Sequence, residues 1–464
     1  MSTRLISALI FIATLALFSW NTGQSQEDTT SGQAASKEEL EQVKGALDGL
    51  SESFTEYRNY VDALRKIKIT GYVQPQFRLA QIDNPYGSFY DSGNPFNNVG
   101  YFNGGAFPRY SKNVFQLRRA RVKVNYDNVL TQFVIQFDVG QTGLGIKDAY
   151  LSLIEPWTQS VGFQMGVFDR PFGYEISFSS GSRESPERAR VFQTLFPGER
   201  ELGAKLFYAP QIGPLSFLRL DVGMFNGSGP TGLEFDNYKD VIGHLAAQFP
   251  FGETGAEIDL GVSGYFGNVR SGTSDVYSMG TLSDGNKAFT RSRDTSNFGR
   301  GYQRTYYGVD GQFYFDVPEV GGLILRGEYL VGKQPGLAGT SVSIANLVTN
   351  PLYLRGFTGW YIELVQNVGS ANQVIVKYDV YDPNTEVKGS EMTNAGGFSG
   401  ADLKVSTLGL GVIRHWDDNI KFVLYYEIVT NETVDKALVP GGGLSLASEN
   451  IRDNILTFRV QYKF

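Results

Sequence analysis

Two periodicities divide the chain. Between Ser36 and Lys66 the apolar residues Val43, Leu47, Leu50, Phe54, Tyr57, Val61 and Leu64 recur in alternating steps of four and three, the seam of a heptad repeat. From Lys68 onward the repeat shortens to two. Sixteen segments carry this strand pattern, over 69–80, 114–126, 131–139, 146–154, 160–168, 200–208, 215–226, 241–249, 256–266, 302–316, 321–331, 356–366, 372–381, 403–414, 418–430 and 454–464. The last is the cleanest: Leu456, Phe458, Val460, Tyr462 and Phe464 share one face, and Thr457, Arg459, Gln461 and Lys463 the other. The same phase sets Phe133, Ile135, Phe137 and Val139 against Gln132, Gln136 and Asp138. It also sets Val374, Val376, Tyr378 and Val380 against Lys377, Asp379 and Tyr381.

The connections alternate in length. Asp127–Leu130, Glu155–Gln159, Ala209–Pro214, Pro250–Gly255, Val317–Val320 and Asn367–Ala371 are short, whereas Gln81–Asn113, Asp169–Arg200, Gly267–Gly301 and Thr430–Asp453 are long. A soluble sandwich does not require that asymmetry; a barrel with tight periplasmic turns and long external loops does. The pattern predicts an all-β fold, a 16-stranded antiparallel transmembrane β-barrel over 68–464. It is preceded over 26–67 by a polar segment and a coiled-coil helix. An even strand count puts both barrel ends, and the helix with them, in the periplasm. Glycines at 45 and 49 weaken an isolated helix by about 1 kcal/mol each, so partner helices are expected to hold it.

Residues 1–25 read as a cleaved signal peptide: Arg4 precedes an apolar run from Leu5 to Phe18, and Gly23 and Ser25 suit a cleavage site before Gln26. Beyond residue 18 no apolar run reaches the roughly 18 residues of a transmembrane helix. Cysteine is absent, which excludes disulfides and thiolate metal sites. The 33 phenylalanines and 26 tyrosines suit strands with aromatic girdles, and Phe168, Tyr208, Trp360 and Trp416 fall near strand ends. A net charge of −7 argues against a nucleic-acid partner. The two histidines, His244 with inward parity and His415 in a short turn, have no serine partner in sequence. No catalytic residue, metal ligand or cofactor is therefore expected.

Candidate chemistry lies on the polar face. Arg119, Arg121 and Lys123 form a column opposite Ala120, Val122 and Val124, an anion-attracting stripe on the wall of a pore. Phe115 and Leu117 share the cations' parity, so either a bulge precedes Arg119 or two apolar residues point inward. Arg118 would then snorkel near the outer rim. The same phase turns Lys205, Arg219, Arg304, Arg326, Lys377, Lys421, Arg459 and Lys463 inward. Among the acids it turns Asp138, Glu201, Asp221, Asp310, Glu328, Glu363, Asp379 and Glu427 inward, so the wall is mixed rather than uniformly basic. The loop 169–200 concentrates Arg170, Arg183, Glu184, Glu187, Arg188 and Arg190, and is either a lumenal constriction or a solvated external loop.

The run Phe115-Gln-Leu-Arg-Arg-Ala-Arg-Val, then Asp148-Ala-Tyr-Leu, Gly166-Val-Phe, Arg170-Pro-Phe-Gly-Tyr-Glu, Glu187-Arg and Glu201-Leu-Gly, resembles the phosphate-selective porin O and P family. The resemblance implies a sixteen-stranded trimeric barrel whose arginines and lysines conduct phosphate or other anions, with Arg118, Arg119 and Arg121 mapping onto a family motif. In sixteen-stranded general porins the corresponding third external loop folds inward and narrows the channel. The terminal ladder Phe458, Val460, Tyr462 and Phe464 resembles the C-terminal signal read by the barrel-insertion machinery. The expected function is passive diffusion of small hydrophilic solutes across outer-membrane lipid, with preference for small anions. The inward acids depart from a strongly phosphate-selective wall. The competing readings are an envelope tether built on the coiled coil and an outer-membrane barrel enzyme.

Overall fold

The computed structural model describes residues 37–81, 107, 111–140, 143–252, 255–441 and 443–464; the proposed signal peptide lies outside them. The chain divides into two units at Arg65/Lys66. In the first, helix α1 (Lys37–Arg65) covers most of the heptad segment. Val43, Leu47, Leu50, Phe54, Tyr57 and Leu64 all stand exposed along it, each more than 60 % accessible.

The second unit is a sheet of eighteen strands. In chain order these are β1 (Ile67–Ala80), β2 (Asn113–Asn128), β3 (Thr131–Gly140), β4 (Gly143–Ile154), β5 (Val161–Asp169), β6 (Arg200–Tyr208), β7 (Leu218–Phe225), β8 (Asp240–Phe251) and β9 (Ala256–Arg270). After β10 (Asp275–Thr281) and β11 (Lys287–Arg293) come β12 (Gly301–Val317), β13 (Gly321–Gly336), β14 (Leu352–Val368), β15 (Asn372–Asp382), β16 (Val405–His415), β17 (Ile420–Asn431) and β18 (Ile455–Lys463). Sixteen of them, each antiparallel to the next, correspond one for one to the segments read from the alternation. The pairing of β9 directly with β12 carries the ring past β10 and β11. Those two strands form a hairpin within a long loop, and β10 docks parallel to β14 through Val276 opposite Leu352.

The ring closes where β18 meets β1, with Phe77 opposite Phe458 and Tyr72 opposite Lys463. Phe464 exchanges two backbone hydrogen bonds of 3.0 Å with Gly71. A Cβ on Gly71 would stand 2.6 Å from the Phe464 ring, so glycine provides the seat for the terminal aromatic.

The two faces separate as the alternation predicts. Phe133, Val139, Val374, Val376, Phe458 and Tyr462 are exposed on the outside, while Gln136, Lys377, Asp379, Thr457, Arg459 and Gln461 are buried on the inside. An outer surface of apolar side chains over a polar interior is stable only in lipid. A bulge in β2 shifts its register between Arg119 opposite Gln74 and Leu117 opposite Pro75. Phe115 consequently points outward and is exposed. At the long-loop end, Met392, Leu403, Val439, Leu444 and Ile451 bury one another and order the loops between β15 and β16 and between β17 and β18.

Candidate functional site

The interior is crossed by the segment between β5 and β6. Phe172, Ile176, Val191, Phe192, Leu195 and Phe196 from this loop pack on inward-facing Tyr265, Tyr306, Leu330, Phe357, Tyr361 and Tyr381 of β9 and β12–β15. A short helix, α2 (Arg190–Leu195), carries three of the loop's contributors. Burying such side chains stabilises by about 1.5–3 kcal/mol each before the ordering entropy is subtracted, which favours the loop inside the barrel over the loop in water. Phe168, expected in an interfacial girdle, is instead fully buried in this cluster. Its ring lies 5.4 Å from Phe225.

Ion pairs and hydrogen bonds then fix the loop around the wall. Glu187 is the hub: it accepts from Arg118 Nε at 2.8 Å, Arg119 Nη2 at 2.8 Å and Arg459 Nη2 at 3.0 Å. The bulge in β2 is what brings Arg118 and Arg119 to the same carboxylate. Arg118 therefore does not snorkel toward the outer rim, because the extra residue turns its side chain inward. Burial alone would raise the Glu187 carboxyl, but Arg118, Arg119 and Arg459 outweigh it and hold the group well below the usual carboxylate range.

The remaining loop charges are engaged as well. Glu184 pairs with Arg326 of β13. Arg183 donates to the Ser185 and Pro186 carbonyls, and its own carbonyl accepts from Lys421 of β17 at 3.1 Å. Arg188 pairs with Glu199, which also takes Lys147 of β4. The Arg190 amide donates to Asp379 of β15 at 3.3 Å. Arg170 lies 5.0 Å over the Phe196 ring and 3.8 Å from Glu201.

Sequence reasoning passed over several further anchors. Glu175 binds Lys377 at 2.6 Å. Glu328 accepts from the amides of Tyr174 and Glu175 and from the Tyr361 hydroxyl. Gln74 and Gln461 donate to the carbonyls of Ser180 and Gly181. Their signal was present as inward-parity glutamines and carboxylates opposite an aromatic-rich loop, but parity alone does not name a partner.

The three cations of the expected column have different surroundings. Arg119 belongs to Glu187, and Arg121 donates to Asp138 at 2.8 Å and to Tyr72 and Ser180. Lys123, partly exposed, sits lower on β2 opposite Thr70 and Gln136. With anchors on β1, β2, β4, β13, β15, β17 and β18, the loop spans the lumen. A cleft of about 670 Å³ lies between the loop's Arg170–Ser177 stretch and the inner wall of β6–β9 and β12. Its lining includes the carboxylates of Asp169, Asp221, Glu257, Asp259 and Asp310 and the cations of Arg170, Lys205 and Arg219. Asp221 is shared by Lys205 at 3.0 Å and Arg219 at 2.6 Å, and His244 reaches Asp310 at 2.9 Å.

Among solved structures, OprB of Pseudomonas putida superposes with a TM-score of 0.53 at 10 % identity, covering 87 % of this chain and 96 % of that one. The barrel has the bacterial porin fold. The porin barrels it is also similar to include the outer membrane channel DcaP of Acinetobacter baumannii, at 14 % identity, 86 % and 97 % coverage and TM-score 0.47. An anion-selective porin from Comamonas acidovorans matches at 11 % identity, 86 % and 99 % coverage and TM-score 0.48. No protein-family model and no curated protein sequence matches the chain. Porin barrels of this fold are non-catalytic. Among the described residues no group of three or more His, Asp or Glu side chains is placed to hold a metal. His415, the last residue of β16, faces Gln373 at 3.2 Å.

Proposed function

We propose that the chain is an outer-membrane channel for passive diffusion of small hydrophilic solutes, and that the acid-lined cleft beside the loop is their route. The observation that carries this reading is a polar cleft inside a barrel whose outer surface is apolar, bounded by a loop held in place on many sides. Low-dielectric walls amplify the fixed charges of such a cleft. Stepwise conductance in planar bilayers is expected; protein that inserts without conducting would contradict it.

A preference for anions such as phosphate is the finer reading suggested by Arg119, Arg121 and Lys123. Against it, Arg121 pairs with Asp138, Arg119 shares Glu187 with Arg118 and Arg459, and neither arginine lines the cleft. The carboxylates lining the cleft outnumber its lysine and arginine side chains by five to three. We therefore read the channel as weakly charge-selective with a tilt toward cations. Reversal potentials in a salt gradient, compared for chloride and phosphate salts, test this directly; clear anion selectivity would restore the first reading.

The exposed stripe of α1 supports assembly into a homotrimer through a periplasmic coiled coil, since apolar residues more than 60 % accessible along a helix about 44 Å long need partner helices. Chemical crosslinking of the protein with and without residues 26–66 should show whether the trimer depends on this segment. The terminal ladder, exposed at Phe458, Tyr462 and Phe464 and half-buried at Val460, fits recognition by the insertion machinery before lipid covers it.

A further inference from the structure

Strands β9, β12, β13 and β14 carry two cavities whose outward-parity residues lie one beyond the other along the strands. At mid-height the outward positions of β12 and β13 are both glycine, and Gly311 and Gly327 stand directly opposite each other. Leu260 flanks Gly311 on one side and Ile362 flanks Gly327 on the other. The two missing side chains leave a recess of about 840 Å³ walled by Val262, Val309, Tyr329 and Trp360. Leu260, Val262, Val309, Tyr329 and Ile362 are all exposed, so the recess opens outward.

Nearer the long-loop end, outward-parity Asn268, Gln303 and Lys333 of the same strands line a second cavity of about 570 Å³, together with Arg300. Lys333 follows Tyr329 by four residues on one face of β13, about 13 Å along the strand. Arg300 and Lys333 are exposed. Neither makes an ion pair among the described residues, and Arg300 lies 5.5 Å over the Tyr302 ring. The cavity also holds Arg355, neutralised by Asp402 at 2.7 Å, and one acid, Glu386, so its balance is positive.

An apolar groove beneath a cationic, hydrogen-bonding pocket matches one class of molecule. We infer that this stripe docks a single phosphate-bearing membrane lipid, with an acyl chain over Gly311 and Gly327 and the phosphate between Arg300 and Lys333. The inference rests on the barrel being embedded in a membrane as proposed above. Free phosphate would use only the upper cavity. A second copy of the chain would need a matched surface of roughly 1,000 Å² or more rather than a recess. Cationic side chains at the edge of the hydrocarbon attract anionic headgroups.

The test is native mass spectrometry of the detergent-purified full chain with dipalmitoyl phosphatidic acid, with dipalmitoylglycerol, and with inorganic phosphate as competitor. One phosphatidic acid per chain should be retained, about tenfold more tightly than dipalmitoylglycerol, and phosphate should not displace it. Gly311→Leu fills the groove at little cost, because a Cβ there makes only ordinary contacts, 3.5 Å from Leu260. It should lower retention about tenfold, as should the pair Arg300→Glu and Lys333→Glu, while bilayer conductance stays unchanged. Equal retention by all variants, equal binding of dipalmitoylglycerol, or displacement by phosphate would overturn the inference. So would loss of oligomer in Gly311→Leu with lipid retention intact. A non-conducting parent protein would instead count against the channel reading.

Discussion

Glu187→Gln removes the one negative charge on which Arg118, Arg119 and Arg459 converge. Three guanidiniums would then face each other at the β1–β2–β18 side of the lumen with a neutral amide between them. Removing one partner of a buried ion pair costs about 3–5 kcal/mol. At about 1.4 kcal/mol per decade, the ratio of docked to undocked states of the adjoining stretch falls by roughly two to three and a half powers of ten. The loop as a whole stays inside, since its aromatic cluster and the Glu175–Lys377 pair are untouched. The expected phenotype is local: bilayer recordings of the variant should show added flicker and a larger open level than the parent. Amide exchange should accelerate around residues 179–189. The pH dependence follows from the depressed Glu187 carboxyl. Its stabilisation is complete above the ordinary carboxylate range and is lost only as pH falls through the lowered folded-state value, so amide protection at residues 179–189 of the parent, corrected for intrinsic exchange, should be the same at pH 8 and pH 5. A variant with unchanged current, noise and exchange would refute the claim that Glu187 holds the loop.

Further outcomes follow from the same structure. Gly71→Val should impair ring closure, because its side chain would occupy the seat of the Phe464 ring; folded, heat-modifiable barrel on cold gels should fall sharply against the parent. Asp453 lies buried between β17 and β18 with neither carboxylate oxygen hydrogen-bonded to another of the described residues, and burial pushes its carboxyl up to about 7 against the opposing pull of Arg190. Its ionisation therefore costs stability progressively as pH rises from its ordinary value toward 7. Asp453→Asn should raise the melting temperature at pH 8, by the equivalent of about 1–3 kcal/mol, and leave it unchanged at pH 3. Glu257→Lys combined with Asp259→Lys should move the reversal potential toward anions. Arg121→Gln, away from the cleft, should leave it within error of the parent.

The strands were legible because each carries its own period-two record, and one face must be apolar to meet lipid. Even the β2 bulge showed in the sequence, as Phe115 and Leu117 out of phase with Arg119. Its consequence was not legible: Arg118 turns toward Glu187, 69 residues away. The inward path of the loop left a partial trace, since Tyr265, Tyr306, Phe357, Tyr361 and Tyr381 hold inward positions that a water-filled wall does not require. Arg119 and Arg121 stand on the inner face, yet parity cannot report that Arg119 meets Glu187 of a distant loop or that Arg121 meets Asp138 of the neighbouring strand. The hairpin β10–β11 escaped because its strands are only seven residues each and lie in a segment without sustained alternation.

The central claim is that solutes pass through the cleft bounded by β6–β9 and β12, while the loop covers the wall at β1, β2 and β18. The chain contains no cysteine, so single cysteines can be introduced without background. Gln248 lines the cleft, whereas Gln461 is buried under the loop and donates to Gly181. A charged methanethiosulfonate reagent added during bilayer recording should block current through Gln248→Cys within minutes and leave Gln461→Cys unaffected. Block at Gln461→Cys with an inert Gln248→Cys would place the route on the other side of the loop and contradict the account.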